Sequence, residues 1–166
     1  MPMPAYIADS SVFILGMPLP NRIITTPDVL LELKDIQSRL AFEAAVDSNV
    51  DVVVEAPLPH LVDEVYSHAK ATGDCERLSD TDIGLLAKTL EYNGILYTDD
   101  YAIQNVAGSI GIRTEPVVQK HIKERFEWGW RCVGCGRKFE GGDSERVCPV
   151  CGSRLVGYRK RRRKLR

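Results

Sequence analysis

Two kinds of residue in this chain have the types and spacing for metal chemistry: thiols near the C-terminus and carboxylates spread through the remainder. The thiols lie in "CVGCGRKFEGGDSERVCPVCGS", two C-x2-C pairs separated by twelve residues, formed by Cys132, Cys135, Cys148 and Cys151. Each pair can turn tightly enough to aim two sulfurs at one ion, and two pairs complete a closed tetrahedral site suited to one zinc ion. Gly134, Gly136 and Gly152 ease those turns. Four cysteines leave no open coordination position, so this zinc is expected to be structural and not catalytic. A module this small holds little core, and metal binding should drive its folding. Cys75 stands apart from the group.

The carboxylates raise a different question in "LYTDDYAIQN", where Asp99 and Asp100 stand side by side after an apolar run. Asp9 likewise ends "AYIAD", Glu32 lies in "DVLLELK", and Asp82 follows Ser79 by three residues. Each acid alone has a local explanation: a helix cap, a first-turn charge or an exposed helical side chain. Together, acids at strand ends and helix starts fit a cleft for hard divalent cations, whose remaining positions take water and phosphate oxygens. Such a cation neutralises a phosphodiester and can generate hydroxide, and a second can stabilise the leaving oxygen.

The elements that would position these acids alternate. Strands are expected at 5–9, 51–57 (buried), 95–98 and 111–115, with helices beginning at Thr26-Pro27 and continuing over 38–48, then over 59–73, 79–93 and 100–107. Alternation implies right-handed crossovers and an α/β sandwich with a mostly parallel sheet, which binds ligands beyond the carboxyl ends of its strands. Asp9 and the Asp99-Asp100 pair would meet there despite some ninety residues between them.

Charge divides the chain in the same way as cysteine. The net charge of −1 conceals 18 acids against 8 bases in residues 1–120, and 5 acids against 14 bases in residues 121–166. An acidic body that holds cations and a basic one that holds nucleic acid are the expected partition. The expected boundaries are 1–120 for the catalytic domain, 121–130 for a connector, 131–157 for the zinc ribbon and 158–166 for a basic tail. In the connector, Phe126, Trp128 or Trp130 is expected to pack on a neighbour in preference to stacking on RNA. Arg137, Lys138, Arg159, Lys160, Arg161, Arg162, Arg163, Lys164 and Arg166 are the expected RNA contacts. No apolar run suits a membrane span and the start does not read as a signal peptide, so a cytoplasmic location is expected.

The stretches "YIADSSVFI", "TTPDVLLELK" and "LSDTDIGLLAKTLEYNGILYTDDYAIQNVA" resemble the ordered acidic motifs of PIN-domain ribonucleases across almost all of residues 1–118. With the four-cysteine ribbon and the basic end, the whole chain resembles the archaeal Nob-type endoribonucleases that mature the 3′ end of small-subunit ribosomal RNA. The resemblance implies a PIN-like α/β/α sandwich, cleavage of single-stranded precursor 16S RNA on a nascent small subunit, an RNA-binding assembly factor as partner, and one or two Mn²⁺ or Mg²⁺ ions. It assigns those ions to Asp9, Glu32, Asp82 and Asp100. Asp82 is preferred to Asp80 because it directly precedes the apolar helical run, and Asp100 to Asp99 because the family's most regular acid falls second. Ser10 and Thr98 are expected to support the ligands by hydrogen bonds.

A non-catalytic ribosomal-RNA-binding assembly factor with a PIN fold is the alternative, and a toxin-like PIN nuclease is another, though such chains normally lack a ribbon. Phosphoryl transfer of the haloacid-dehalogenase type is excluded, because D-x-D is required and Ser11 stands at its second position.

Overall fold

A computed structural model describes residues 3–16, 19–117, 124–140 and 146–164. Five short strands, β1 (Tyr6–Ala8), β2 (Arg22–Thr25), β3 (Asp51–Val54), β4 (Ile95–Tyr97) and β5 (Arg113–Glu115), form a wholly parallel sheet in the order β3-β2-β1-β4-β5. Helices α1 (Ser10–Ile14), α2 (Pro27–Glu32), α3 (Ile36–Val46), α4 (Pro59–Thr72), α5 (Asp80–Tyr92) and α6 (Tyr101–Ser109) connect them. The core gathers Ile7, Ile23, Ile24, Leu96 and Ile103 with Val65 and Leu86 from the covering helices. The expected α/β sandwich is therefore the fold.

Two strands differ from expectation. β2 was expected only as the approach to a helix, because Thr26-Pro27 dominates the local pattern. Yet "RIIT" is mostly β-branched, and the residue before a proline is itself biased to extended backbone. The second expected strand, β3, is not buried: it lies at the sheet edge, where Asp51 and Val54 are exposed. Its β-branched run reads as interior from sequence, but only one side of it is paired.

Helix boundaries follow local chemistry. α4 ends at Gly73 in the left-handed conformation, and Asn93 closes α5 in the same way. α5 is also anchored along its length. Lys88, only 1% exposed, reaches the Ala56 carbonyl at 3.0 Å, Glu91 Oε2 at 2.9 Å and Glu55 Oε2 at 3.1 Å. It thereby ties the helix to the turn that follows β3. Tyr92 Oη donates to the same Glu55 carboxylate at 2.6 Å.

A second sheet is antiparallel, in the order β7-β6-β8, built from β6 (Glu124–Cys132), β7 (Lys138–Phe139) and β8 (Leu155–Lys164). Glu124 pairs with Lys164 and Cys132 with Leu155, with an irregularity between Phe126 and Trp128. The stretches expected as a connector and a basic tail are thus largely the outer halves of two paired strands. Trp130, 8% exposed, packs with Cys132, Cys148 and Leu155 and meets Leu40 of α3. At Gly157 the β8 backbone approaches α3 so closely that a Cβ would lie 2.9 Å from the Leu40 carbonyl oxygen. Arg146 and Glu43 form an ion pair across the same seam, and Arg154 meets Asp47 at 3.5 Å.

Candidate active site and metal centre

Parallel pairing brings the carboxyl ends of β2, β1 and β4 to one rim. Tyr6 is opposite Ile23 and Ile95, and Ile7 is opposite Ile24 and Leu96. Asp9, Thr26 and Thr98 are the residues that directly follow β1, β2 and β4 at this rim. The Thr98 hydroxyl interacts with the Asp9 carboxylate, and Thr98 Oγ1 accepts from the Asp100 amide at 3.1 Å. On the other flank, Ser10 Oγ donates to Glu32 Oε2 at 3.2 Å. Thr98 thus links Asp9 to Asp100, and Ser10, the residue after Asp9, reaches Glu32.

Three of the four acids cap helices. Asp9 Oδ1 accepts from the Ser11 amide at 2.9 Å and caps α1, and Asp100 Oδ1 accepts from the Ala102 amide at 2.7 Å and caps α6. Asp82 Oδ2 accepts from the Ser79 amide and hydroxyl, each at 2.8 Å, and closes the capping box of α5. The capping box expected for Asp82 is therefore present, while Asp100 is the cap of α6 and not a first-turn charge, and Asp9 caps α1; the bonds fix each carboxylate in place. Capping occupies one oxygen of Asp82 and one of Asp100; the other takes no hydrogen bond among the described residues. None of those residues links Asp82 by hydrogen bond to Asp9, Glu32 or Asp100. Asp80 is the exposed first residue of α5. Asp99 Oδ1 accepts from the Val117 amide at 3.0 Å and pins the chain leaving β5.

Burial pushes the Asp9 carboxyl above the ordinary range, against the hydrogen bonds from Ser11, Thr98 and Val12 that favour its charge. A nearby cation would reverse that balance. A second feature, which sequence reading had treated only as a cap, points the same way. Thr26 is 0% exposed, makes no side-chain cap, and its Oγ1 has no hydrogen-bond partner among the described residues. A buried orphan hydroxyl costs about 1–3 kcal/mol. At the end of the strand next to the one that Asp9 follows, it fits a place where an ion and its waters supply the missing partner. The hard oxygen donors here suit Mg²⁺ or Mn²⁺.

The thiol site is closed. Cys132 Sγ lies 3.3 Å from Cys151 Sγ and Cys135 Sγ 3.7 Å from Cys148 Sγ, with all four within 4.8 Å of one another. A disulfide would need about 2.05 Å, whereas a tetrahedral zinc with Zn–S near 2.3 Å separates its sulfurs by about 3.8 Å. Among the described residues, no other group of three or more metal-ligating side chains lies so close together. Amides of Gly134 and Cys135 point at Cys132 Sγ at 3.3 and 3.4 Å, and the Val150 amide points at Cys148 Sγ at 3.4 Å. Gly136 and Gly152, at φ 72° and 71°, end the two knuckles in the left-handed conformation that other residues rarely take. Hydrogen bonds from the Ser153 hydroxyl and amide lower the Cys151 thiol to about 6. The Arg137 amide favours the Cys135 thiolate, but burial and the three neighbouring sulfurs push that thiol up to about 11. Four sulfurs cannot all ionise without a cation between them, and a divalent soft-accepting ion such as zinc fits the set.

On the basic face, Lys138 Nζ lies 5.1 Å from the centre of the Tyr158 ring, and Lys160 Nζ meets Glu140 Oε1 at 2.7 Å. Arg166 and the side chains of Arg159, Arg161, Arg162, Arg163 and Lys164 lie outside the described residues, as do those of Phe126 and Trp128. No helix among the described residues is long and apolar enough to cross a membrane.

Comparisons with known proteins identify the family. A family described as "PIN domain of ribonuclease" matches residues 6–92. The chain is 39% identical to "Endoribonuclease Nob1" of Archaeoglobus fulgidus over 91% of its own length and 89% of that protein's. It is 38% identical to the protein of the same name from Pyrococcus abyssi, covering 93% and 95%. It is also 35% identical to "20S-pre-rRNA D-site endonuclease nob1" of Schizosaccharomyces pombe over 55% of this chain and 23% of that one. The chain belongs to the Nob1 family of PIN-domain endoribonucleases.

Proposed function

We propose that this protein cleaves single-stranded precursor RNA near the 3′ end of small-subunit ribosomal RNA, in the cytoplasm, with Mg²⁺ or Mn²⁺ at the strand-end cleft. The observation that carries this reading is the chain of contacts from Glu32 through Ser10 and from Asp9 through Thr98 to Asp100, at the carboxyl ends of adjacent strands. Asp9, Glu32, Asp82 and Asp100 would hold one or two ions, with water completing the coordination. When bound, such an ion supplies positive charge against the phosphodiester and makes water acidic enough to serve as the nucleophile. Ser10 and Thr98 orient the carboxylates, and the caps limit their freedom. The ribbon, folded around one zinc, would carry Arg137, Lys138 and the basic residues of β8 to RNA in a nascent small subunit, alongside an RNA-binding assembly partner. The yeast relative's name, which specifies a pre-rRNA, supports that substrate class.

The test is incubation with Mn²⁺ or Mg²⁺ and an RNA spanning the precursor 3′ end. One specific cut, lost on chelation and in Asp9→Asn, is the expected result. Binding without any cut under either metal would refute the nuclease reading and leave an RNA-binding factor.

A further inference from the structure

Tyr101 is the first residue of α6 and directly follows Asp100, yet its ring is 82% exposed, more than any other large apolar side chain described. Among the described residues it has no hydrogen bond, stacked ring or cation partner. Tyr66, by contrast, is half covered and has Lys70 Nζ 4.7 Å from its ring centre. Nothing in the fold calls for an aromatic at position 101: the core of α6 is Ile103, Val106 and Ala107, and the cap is made by Asp100. Aromatic residues are also only moderate helix formers. Leaving a large ring in water serves binding better than folding.

Resting on the proposed nuclease activity, we infer that Tyr101 is a stacking platform for a nucleobase one nucleotide from the scissile phosphate. An ion held by Asp100 would contact that phosphate, and Tyr101, the next residue in the chain, is exposed at the start of the helix that Asp100 caps. A tyrosine face accepts any base, because every base has a π-face. It would hold the strand in line while the phosphate meets the ion, without demanding a sequence. The connector aromatics do not compete for this part so far as they are described, since Trp130 is buried.

The test measures cleavage kinetics on two single-stranded RNAs spanning the precursor 3′ end, one intact and one abasic beside the cut, with wild type, Tyr101→Ala and Tyr101→Phe. Stacking losses of this kind run from roughly tenfold to a hundredfold. Tyr101→Ala should lose about tenfold in kcat/KM on intact RNA, mostly through KM, while Tyr101→Phe stays near wild type. On abasic RNA, wild type should fall to the Tyr101→Ala level and the variant should lose little more. Equal activity of Tyr101→Ala and wild type on intact RNA overturns the platform alone, as does the same fractional loss on both RNAs. A wild type that cuts neither RNA overturns the nuclease activity, and the platform with it.

Discussion

Replacing Lys88 by methionine tests whether the α5 anchor acts as an ion-pair network or as a buried stem. Methionine keeps most of the side-chain volume at a site only 1% exposed, so little cavity is created. It deletes the bonds to the Ala56 carbonyl at 3.0 Å and Glu91 at 2.9 Å, leaving a buried acceptor and a mostly buried carboxylate unpaired. Glu55 is 43% exposed and partly rehydrates, so that contact adds only a small, solvent-screened part. Hydrogen bonds to charged groups contribute about 1.5–3 kcal/mol each, and methionine regains part of this through apolar burial, so the expected net loss is about 2 kcal/mol at pH 7. The pH dependence has a defined sign. Burial disfavours the Lys88 charge, but Glu91 and Glu55 outweigh it and raise its pKa above 10.5. Its contribution is therefore complete below the unfolded lysine value and fades as pH rises through the raised folded one. The Tyr92 hydroxyl and then Lys88 hold Glu55 below its ordinary 4.5. That share is present above the unfolded value and fades as pH falls through the lowered one. Urea unfolding of both proteins, compared at equal m-value, should show a gap that is flat from about pH 5 to 10 and narrower at pH 3. Equal stability at pH 7, or a gap of the same size at pH 3, would refute the network.

The remaining predictions concern the site and the ribbon. Asp9→Asn and Asp82→Asn should keep the circular dichroism spectrum, because asparagine also caps helices, and lose cleavage; wild-type turnover in either removes that residue from the metal set. Chelating zinc should abolish the near-ultraviolet signal of the Trp130 environment while the parallel sheet stays folded and still binds Mn²⁺; loss of both bodies together would show that they fold as one. Changing Arg161, Arg162 and Arg163 together to Gln should flatten the plot of log RNA affinity against log salt by about 2, at roughly 0.7 per phosphate contact. An unchanged slope in binding titrations would mean that these residues do not touch phosphate.

Much of the candidate site's local structure was legible because it is built from local signals. Asp82 announces itself as a cap through Ser79, the cysteine pairs through their spacing, and α4 through Gly73. What was not legible depends on pairing between distant segments. "RIIT" becomes a strand because β1 and β3 lie on either side of it, and β3 becomes an edge because no strand among the described residues pairs with its far side. The basic end reads as a tail since its charges cannot enter a core, but backbone pairing with β6 asks only for extended backbone. Thr26 was read as a helix cap. That its hydroxyl is buried with no partner among the described residues follows from tertiary packing, which no local pattern encodes.

The double use of the acids as caps has a consequence for how this site tolerates mutation. In many enzymes, neutralising a crowded carboxylate relieves repulsion, so inactive variants gain stability. Here Asp100 satisfies the Ala102 amide of α6, which alanine would leave open, at about 1 kcal/mol for the lost cap. Drift to alanine there therefore weakens the fold at the moment it removes the proposed ligand. Selection for a folded chain alone guards this position, and only asparagine and similar capping residues escape that guard.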